Sequence, residues 1–306
     1  MIIAVFPGQG SQTPGFLAPW LESEVARERL QAFSDKAQVD LVAAGTSWDA
    51  DRIRDTKIAQ PLIVAASLLS YAALIERAGT RPQGVAGHSV GELAALAAAE
   101  VISSDEALRL VGIRGRAMAD AAAVAQTGMS AIVGGDEQDV LSALEKHSLT
   151  PANFNGGGQI VAAGALGDLA ELAASPPRGT RIIPLKVAGA FHTGYMASAV
   201  DTLRTAAATV ETSDPTVTLW SNHDGSTLTH GRAAIDRMVA QIASPVRWDL
   251  CMASFAENGV TGIIELAPAG TLIGLAKRAL RGVPSVAVKT PDDLEAAANL
   301  LTGDAA

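Results

Sequence analysis

The pattern of hydrophobic positions alternates between short apolar runs and longer segments with helical spacing. Residues 2–6 (Ile-Ile-Ala-Val-Phe) form a continuous apolar run that ends at Pro7-Gly8-Gln9-Gly10, as expected of a buried parallel strand entering a loop. Further along, the pattern predicts an apolar helix over 61–78, a strand over 84–87 and a helix over 90–99. Strands that alternate with helices in this way predict an α/β domain built on a parallel sheet.

The pattern changes after residue 125. Strands are predicted at 129–133, 152–155, 159–163 and 181–187, and helices at 137–146 and 166–174. This order, βαββαβ, is typical of the ferredoxin-like fold. We therefore predict a small subdomain over 125–188, inserted into a large α/β domain made of 1–124 and 189–306.

The α/β pattern resumes after the predicted insert. Helices are predicted at 196–208, 233–243 and 250–257, strands at 217–220 and 262–266, and a last helix ending at Leu280. The tail from Gly303 is expected to fray. The predicted fold class is thus α/β: a hydrolase-like parallel sheet flanked by helices, carrying an inserted ferredoxin-like subdomain.

The composition and charge of the chain limit the class of protein and the partners that we expect. The chain has 306 residues, of which 48% are hydrophobic and 18% charged, enough to bury a large core. The net charge of −9 argues against a nucleic-acid partner or an anionic membrane surface. No apolar run approaches the roughly 18 residues of a membrane span, and residues 1–6 lack the basic start of a signal peptide. A cytoplasmic protein is expected, by default a monomer.

The cysteine content excludes an intrachain disulfide and gives no indication of a metal site. Cys251 is the single cysteine, so an intrachain disulfide is impossible, and its neighbours show no metal-ligand spacing. We expect it to be a small buried side chain rather than a reactive thiol. No metal or cofactor is predicted.

A candidate nucleophile lies in the segment Gly87-His88-Ser89-Val90-Gly91, which reads G-x-S-x-G between an apolar run and a helical pattern. In a nucleophile elbow, the serine stands on a tight strand-to-helix turn that presents its hydroxyl. The start of the next helix would aim the N–H of Val90 at an oxyanion. An ordinary turn can carry the same five residues, so Ser89 needs support from other residues.

A serine nucleophile needs a base, and His192 is the candidate among the five histidines. His88 adjoins the serine, where neighbouring side chains diverge, and the others lie at a helix end or in polar turns: His147, His223 and His230. His192 lies in a loop of small residues at the seam between the predicted domains, where clefts form. Most of the acidic residues between Ser89 and His192 lie on polar helix faces and look solvated, such as Asp136, Asp139 and Asp168. We predict a Ser–His dyad oriented by backbone or amide oxygens, against the alternative of a structural loop histidine.

Arg114 indicates the kind of substrate. It shares a helical stripe with Ala107, Val111 and Met118, and therefore points toward the core. A buried guanidinium needs an anionic partner. That partner is either an internal Asp or Glu or the carboxylate of a ligand, held by two hydrogen bonds.

Taken together, these segments resemble a known family. They stand in order along the chain from about residue 3 to 280: Pro7-Gly8-Gln9-Gly10-Ser11-Gln12, Gly87-His88-Ser89-Val90-Gly91-Glu92, Arg114-Gly115-Arg116, Asn153-Phe154-Asn155, Phe191-His192, Gln241 ahead of Pro245-Val246-Arg247-Trp248, and Glu265-Leu266-Ala267-Pro268-Ala269-Gly270. The chain resembles the acyltransferases that move malonyl groups from coenzyme A to acyl carrier protein in fatty acid and polyketide synthesis.

The resemblance implies a ping-pong exchange. Ser89 would attack the malonyl thioester of malonyl-CoA with His192 as the general base, and the pantetheine thiol of acyl carrier protein would then take the malonyl group. Arg114 would pair with the malonyl carboxylate. No cofactor is implied, because coenzyme A arrives as part of the substrate.

The resemblance also assigns supporting roles. Backbone N–H groups of Gln9 and Val90 would stabilise the oxyanion, the carbonyl of Gln241 would orient His192, and Asn155 would line the cleft. In the polyketide relatives, a Phe just before the histidine and an aliphatic residue after the serine accompany the use of malonyl rather than methylmalonyl groups. Phe191 and Val90 therefore imply a malonyl substrate. Gly189 departs from the residue that those relatives often carry ahead of Ala-Phe-His.

Two other classes of protein share parts of the pattern. A serine esterase or thioesterase would have the elbow, but the α/β-hydrolases place their histidine late in the chain and carry an acid and a His-Gly-Gly loop. A carrier-protein-binding scaffold without activity would keep the fold and have no use for Ser89, Arg114 and His192 together. Release of free malonate to water would identify the esterase.

Overall fold

The computed structural model describes residues 1–303; residues 304–306 of the tail, where fraying is expected, lie outside this description. The strands are β1 Ile2–Phe6, β2 Gly84–Gly87, β3 Thr127–Gly134, β4 Thr150–Gly156, β5 Gln159–Ala165, β6 Thr180–Pro184, β7 Thr218–Trp220, β8 Thr227–Leu228, β9 Val246–Arg247, β10 Gly262–Glu265 and β11 Ser285–Ala287. The helices are α1 Glu24–Ala37, α2 Leu41–Thr46, α3 Ala50–Arg54, α4 Thr56–Ala78, α5 Gly91–Ala98, α6 Ser104–Ala122, α7 Glu137–Lys146, α8 Leu166–Ala174, α9 Ala197–Ala207, α10 Gly231–Ala240, α11 Trp248–Glu257, α12 Thr271–Ala279 and α13 Leu294–Thr302.

The large sheet confirms the predicted α/β class. Its strand order is β11-β10-β1-β2-β7-β8, and all neighbouring pairs are parallel except β7 and β8. In the central pair, Phe6 at the end of β1 lies opposite Gly87 at the end of β2. The glycine-rich loop after β1 and the turn after β2 therefore meet at the same edge, where open α/β sheets bind their ligands.

The second sheet has the order β6-β3-β5-β4-β9. Its first four strands are antiparallel to their neighbours, and their order and directions are compatible with the ferredoxin-like pattern. The fifth strand, β9, lies outside 125–188 and pairs parallel with β4. The sheet therefore extends past the predicted insert, and the division into two domains stays a prediction.

Two predicted element boundaries are wrong, and two elements follow the helix that was predicted to be the last. Helix α4 begins at Thr56 rather than at residue 61, because the Asp55 side chain caps it by accepting from the N–H of Lys57, and Pro61 lies inside the helix. Strand β6 ends at Pro184, three residues early, where proline cannot continue the ladder. The helix predicted as the last is followed by β11 and α13, and α13 packs its apolar face on α4.

Helix α4 also corrects the expectation about apolar segments. It has 23 residues and is long and apolar enough to span a membrane by length and composition. Scattered serines interrupt its apolar runs, which is why run length alone missed it. The most apolar window of the helix is 78% buried, against α5, α6 and α13. We interpret α4 as the central core helix of a globular fold.

Candidate active site

The turn between β2 and α5 is as tight as the G-x-S-x-G pattern predicts. A Cβ atom added to Gly87 would lie 2.0 Å from the carbonyl carbon of Gly91, and one added to Gly91 would lie 2.2 Å from the oxygen of Phe6. Only glycine fits at these two positions. Ser89 between them has φ of 53°, in the left-handed region. The turn therefore has the geometry of a nucleophile elbow.

Ser89 and His192 form a hydrogen-bonded pair. Ser89 Oγ lies 2.7 Å from His192 Nε2, and His192 Nδ1 lies 2.8 Å from the backbone oxygen of Gln241. A carbonyl only accepts, so Nδ1 carries the proton and Nε2 is free to accept from the serine hydroxyl. Burial, helped by the positive charge of Arg114, lowers the pKa of His192 to about 3. The imidazole is therefore neutral and ready to act as a base at neutral pH.

His192 shares the left-handed backbone of Ser89, with φ of 62°. The other non-glycine residues with positive φ in the described chain lie one or two residues past the ends of helices, where such a conformation is common: Gln38, Glu100 and Ser148. A left-handed residue with a side chain costs on the order of 1–2 kcal/mol. The two residues of the pair hold this conformation without following the C-terminal end of a helix, as is frequent at functional sites.

Arg114 is 1% exposed and has only neutral hydrogen-bond partners. Its Nη1 donates to Gln60 Oε1 at 2.6 Å, and its Nη2 donates to Gln241 Oε1 at 3.1 Å. Among residues 1–303, no carboxylate forms a direct ion pair with it; the acid that acts on its charge, Glu92, is connected to it through the side chain of Gln241. Burial lowers the pKa of Arg114 to about 10, which leaves it charged at neutral pH. The site thus holds a buried cation that an incoming carboxylate could pair.

The residues predicted to stabilise an oxyanion lie on two adjoining loops. Within the described chain, the backbone N–H groups of Gln9 and Val90 donate to no other residue. A Cβ added to Gly8 would lie 3.0 Å from His88 Nδ1, which places the Gln9 loop directly against the elbow. Both N–H groups are therefore available to a ligand.

Asn155 and Phe191 lie one step from the reacting pair. Asn155 Oδ1 is 2.9 Å from Nε2 of His88, and its Nδ2 donates to Gln159 Oε1. Phe191 is buried beside His192 in the chain. Neither hydrogen-bonds Ser89 or His192 in the described structure, so neither belongs to the reacting pair itself.

Asn222 and Glu92 belong to the site and were missed by sequence reasoning. Asn222 Oδ1 accepts from the backbone N–H of Ser89 at 2.8 Å, and its Nδ2 donates to the oxygen of Gly87 at 2.7 Å. The carboxyl of Glu92 accepts from the backbone N–H of Asn222 and from Nε2 of Gln241. Burial raises the pKa of Glu92 to about 8, opposed by the hydrogen bond from Asn222 and the charge of Arg114. An acid in the apolar segment of α5 was the one available signal.

No group of three or more metal-ligating side chains stands together in residues 1–303. Cys251 is buried, as expected, with its Sγ 3.3 Å from the oxygen of Ser221. Its burial raises the pKa of the thiol well above its usual value. The expectation that the chain uses no cofactor stays a prediction.

Comparison with known proteins defines the class of this fold and site. The model of the acyl transferase domain matches residues 3–295, and the chain belongs to that family. Within it, the chain is 53% identical to the malonyl CoA-acyl carrier protein transacylase of Mycobacterium tuberculosis, covering 98% of this chain and 100% of that protein. It is 34% identical to the protein of that name from Escherichia coli, covering 97% and 98%.

Solved structures agree with these relatives. The crystal structure of the Mycobacterium tuberculosis protein superposes with a TM-score of 0.94 and covers 98% of this chain and 100% of that one. A malonyl-transacylase solved in complex with a type II polyketide acyl-carrier protein is 30% identical, with a TM-score of 0.91, and covers 98% and 99%. The resemblance stated from the motifs is confirmed.

Proposed function

We propose that this chain transfers the malonyl group of malonyl-CoA to the phosphopantetheine thiol of acyl carrier protein, through a malonyl ester on Ser89. One observation carries the proposal: the hydrogen-bonded Ser89–His192 pair shares a buried site with Arg114, a cation whose hydrogen-bond partners among residues 1–303 are both neutral amides. An acyl substrate with a free carboxylate supplies both the electrophile and an anion for the guanidinium. The named relatives support the same substrates.

In the first half-reaction, Ser89 Oγ attacks the thioester carbonyl while His192 Nε2 takes the hydroxyl proton. The carbonyl oxygen becomes an oxyanion that accepts hydrogen bonds from the backbone N–H groups of Gln9 and Val90. When the C–S bond breaks, the proton on His192 passes to the sulfur of coenzyme A. The malonyl group is then an ester of Ser89.

In the second half-reaction, the carrier's thiol gives its proton to His192 Nε2 and its sulfur attacks the ester carbonyl. Collapse of the intermediate breaks the bond to Ser89 Oγ, and His192 returns the proton to that oxygen. The carbonyl of Gln241 holds Nδ1 protonated throughout, so His192 can act as base and acid in turn.

Arg114 selects the acyl group in this proposal by pairing with the malonyl carboxylate. Val90 and Phe191 disfavour an acyl group that is branched next to that carboxylate. Asn155 lines the cleft and stabilises the elbow through its hydrogen bond with His88. These assignments follow the resemblance, and each is open to test by substitution.

The partners of the enzyme are malonyl-CoA and acyl carrier protein, and the reaction supplies chain elongation in fatty acid or polyketide biosynthesis. We further propose that the enzyme is a cytoplasmic monomer. Its net charge of −9 argues against binding to nucleic acid or to an anionic membrane.

The test is the mass of the intact protein after brief mixing with malonyl-CoA, for the wild type beside Ser89→Ala. We expect a malonyl adduct on the wild type alone, discharged when carrier protein bearing its pantetheine arm is added. An adduct lost to water without a thiol would indicate an esterase. The absence of any adduct would favour a scaffold without activity.

A further inference from the structure

A buried polar network lies beneath Ser89, and Glu92 is at its centre. Glu92 stands in the first turn of α5 and is 6% exposed. One carboxyl oxygen accepts from the backbone N–H of Asn222 at 2.5 Å, and the other accepts from Nε2 of Gln241 at 2.6 Å. The mechanism above uses neither hydrogen bond.

Each partner of Glu92 leads to a group that the mechanism does use. Asn222 accepts from the N–H of Ser89, so it holds the nucleophile's backbone. Gln241 is engaged twice, since its backbone oxygen holds His192 and its side-chain oxygen accepts from Arg114. One carboxyl is thus two hydrogen bonds away from the nucleophile, the base and the buried arginine.

The amide of Gln241 has a required orientation. Its Nε2 faces acceptors: Glu92, the oxygen of Ser89 at 3.2 Å and Oδ1 of Asn222 at 3.1 Å. Its Oε1 faces the guanidinium of Arg114. A flipped amide would set NH₂ against guanidinium and oxygen against carboxyl, which leaves buried donors and acceptors unpaired. Because the network is buried, water is poorly placed to replace a lost partner.

We propose that Glu92 is a positioning residue that couples recognition of the acyl carboxylate at Arg114 to the Ser89–His192 pair, by fixing the orientations of Gln241 and Asn222. The proposal rests on the proposed malonyl transfer. It implies that Glu92 affects acyl groups unequally. Orientation of Arg114 matters for a malonyl group, which has a carboxylate to pair, and not for an acetyl group, which has none.

The test compares Glu92→Gln with the wild type in single-turnover acylation by malonyl-CoA and by acetyl-CoA. The assay is run at about pH 9, above the raised pKa of Glu92, so that the carboxyl is ionised and both of its oxygens are acceptors. Under these conditions glutamine keeps the shape and replaces one acceptor oxygen with a donor, so it can satisfy either Asn222 or Gln241 but not both. We expect the malonyl rate to fall roughly 10- to 100-fold, as for one unpaired buried group, and the acetyl rate by less than about 5-fold. Glu145→Gln, an exposed change on α7, is the matched control and should alter neither rate.

Equal losses for both acyl groups, or no loss, would overturn the assignment of Glu92 and leave malonyl transfer standing. Failure of the wild type itself to form an adduct would instead overturn the proposed function. Thermal melting reports whether Glu92→Gln folds. If it does not, Glu92→Asp keeps two acceptor oxygens on a shorter arm, and the same preferential loss of the malonyl rate is expected of it.

Discussion

Two glutamates are buried among residues 1–303, and they have different roles in their two regions of the fold. Glu265 ends β10 with no exposed surface, and its oxygens accept from the backbone N–H groups of Gly270, Leu272 and Ile273 at 2.8–3.0 Å. Glu92 accepts from Asn222 and Gln241, which belong to other parts of the chain. Burial raises the pKa of both carboxyls.

The partners, and not burial or pKa, distinguish the two regions. The donors of Glu265 all lie within eight residues of it and open α12, so the carboxylate caps that helix and complements its dipole. The donors of Glu92 hold the nucleophile, base and arginine. Changes near Glu92 should therefore alter acyl transfer, whereas changes near Glu265 should alter the free energy of unfolding.

The largest expected effect in the elbow region is that of His192→Ala. Removing the general base should slow formation of the malonyl ester by roughly 10²- to 10⁴-fold, while the fold remains intact. Rapid-quench mass spectrometry gives the rate, and circular dichroism checks the fold. An unchanged rate in the folded variant would remove His192 from the mechanism.

Next in size is Arg114→Ala. Without the guanidinium, the malonyl carboxylate is buried without a partner, which costs roughly 3–5 kcal/mol, or on the order of 100- to 4,000-fold in malonyl transfer. Acetyl transfer should suffer much less. The half-buried Arg116, on the same helix, offers Arg116→Ala as the matched control. If malonyl and acetyl rates fall together, Arg114 is structural.

Glu265→Gln tests the other side of the comparison. Glutamine leaves one backbone N–H of the α12 cap unsatisfied, so we expect a loss of about 1–3 kcal/mol in the free energy of unfolding. Denaturant titration measures it. The malonyl rate per folded molecule should not change, and a change without loss of stability would contradict the division into two regions.

The smallest expected effect is that of lowering the pH on the rate of acylation of Ser89. With its pKa lowered to about 3, His192 stays neutral from pH 7 to pH 5, so the rate should fall less than about 2-fold, whereas a histidine of ordinary pKa would lose about 30-fold. The unfolded chain does bind this proton below pH 6.5, so stability contributed by His192 is present above that pH and is lost as the pH falls. Circular dichroism at each pH must accompany the rates.

Sequence reasoning predicted the fold best where structure is local. Helices α7 and α8 have the predicted bounds, and α7 begins after Asp136, whose side chain caps it. Helix α13 was missed because its apolar face is explained only by packing on α4, far away in the chain. Pro61 gave the wrong start for α4, since a capping aspartate six residues earlier outweighs the usual preference of proline for the first turn.

The candidate site shows the same limit. Ser89, His192 and Arg114 stand in motifs that the family resemblance makes readable, and the structure brings them together. Asn222 accepts a hydrogen bond from the backbone N–H of Ser89, but it lies 133 residues further along the chain. No sequence motif or spacing predicts that the two residues meet. Glu92 was visible in the motif, but its role depends on long-range hydrogen bonds.

The left-handed backbone at Ser89 and His192 has a consequence for engineering and evolution. Glycine adopts this conformation without the steric cost that a side chain incurs. A screen that rewards thermal tolerance alone would therefore be drawn toward glycine at positions 89 and 192, and would return robust proteins that transfer nothing. Stabilised variants of this enzyme must be selected with turnover scored alongside, because its two reactive residues occupy positions where the chain itself prefers to have no side chain.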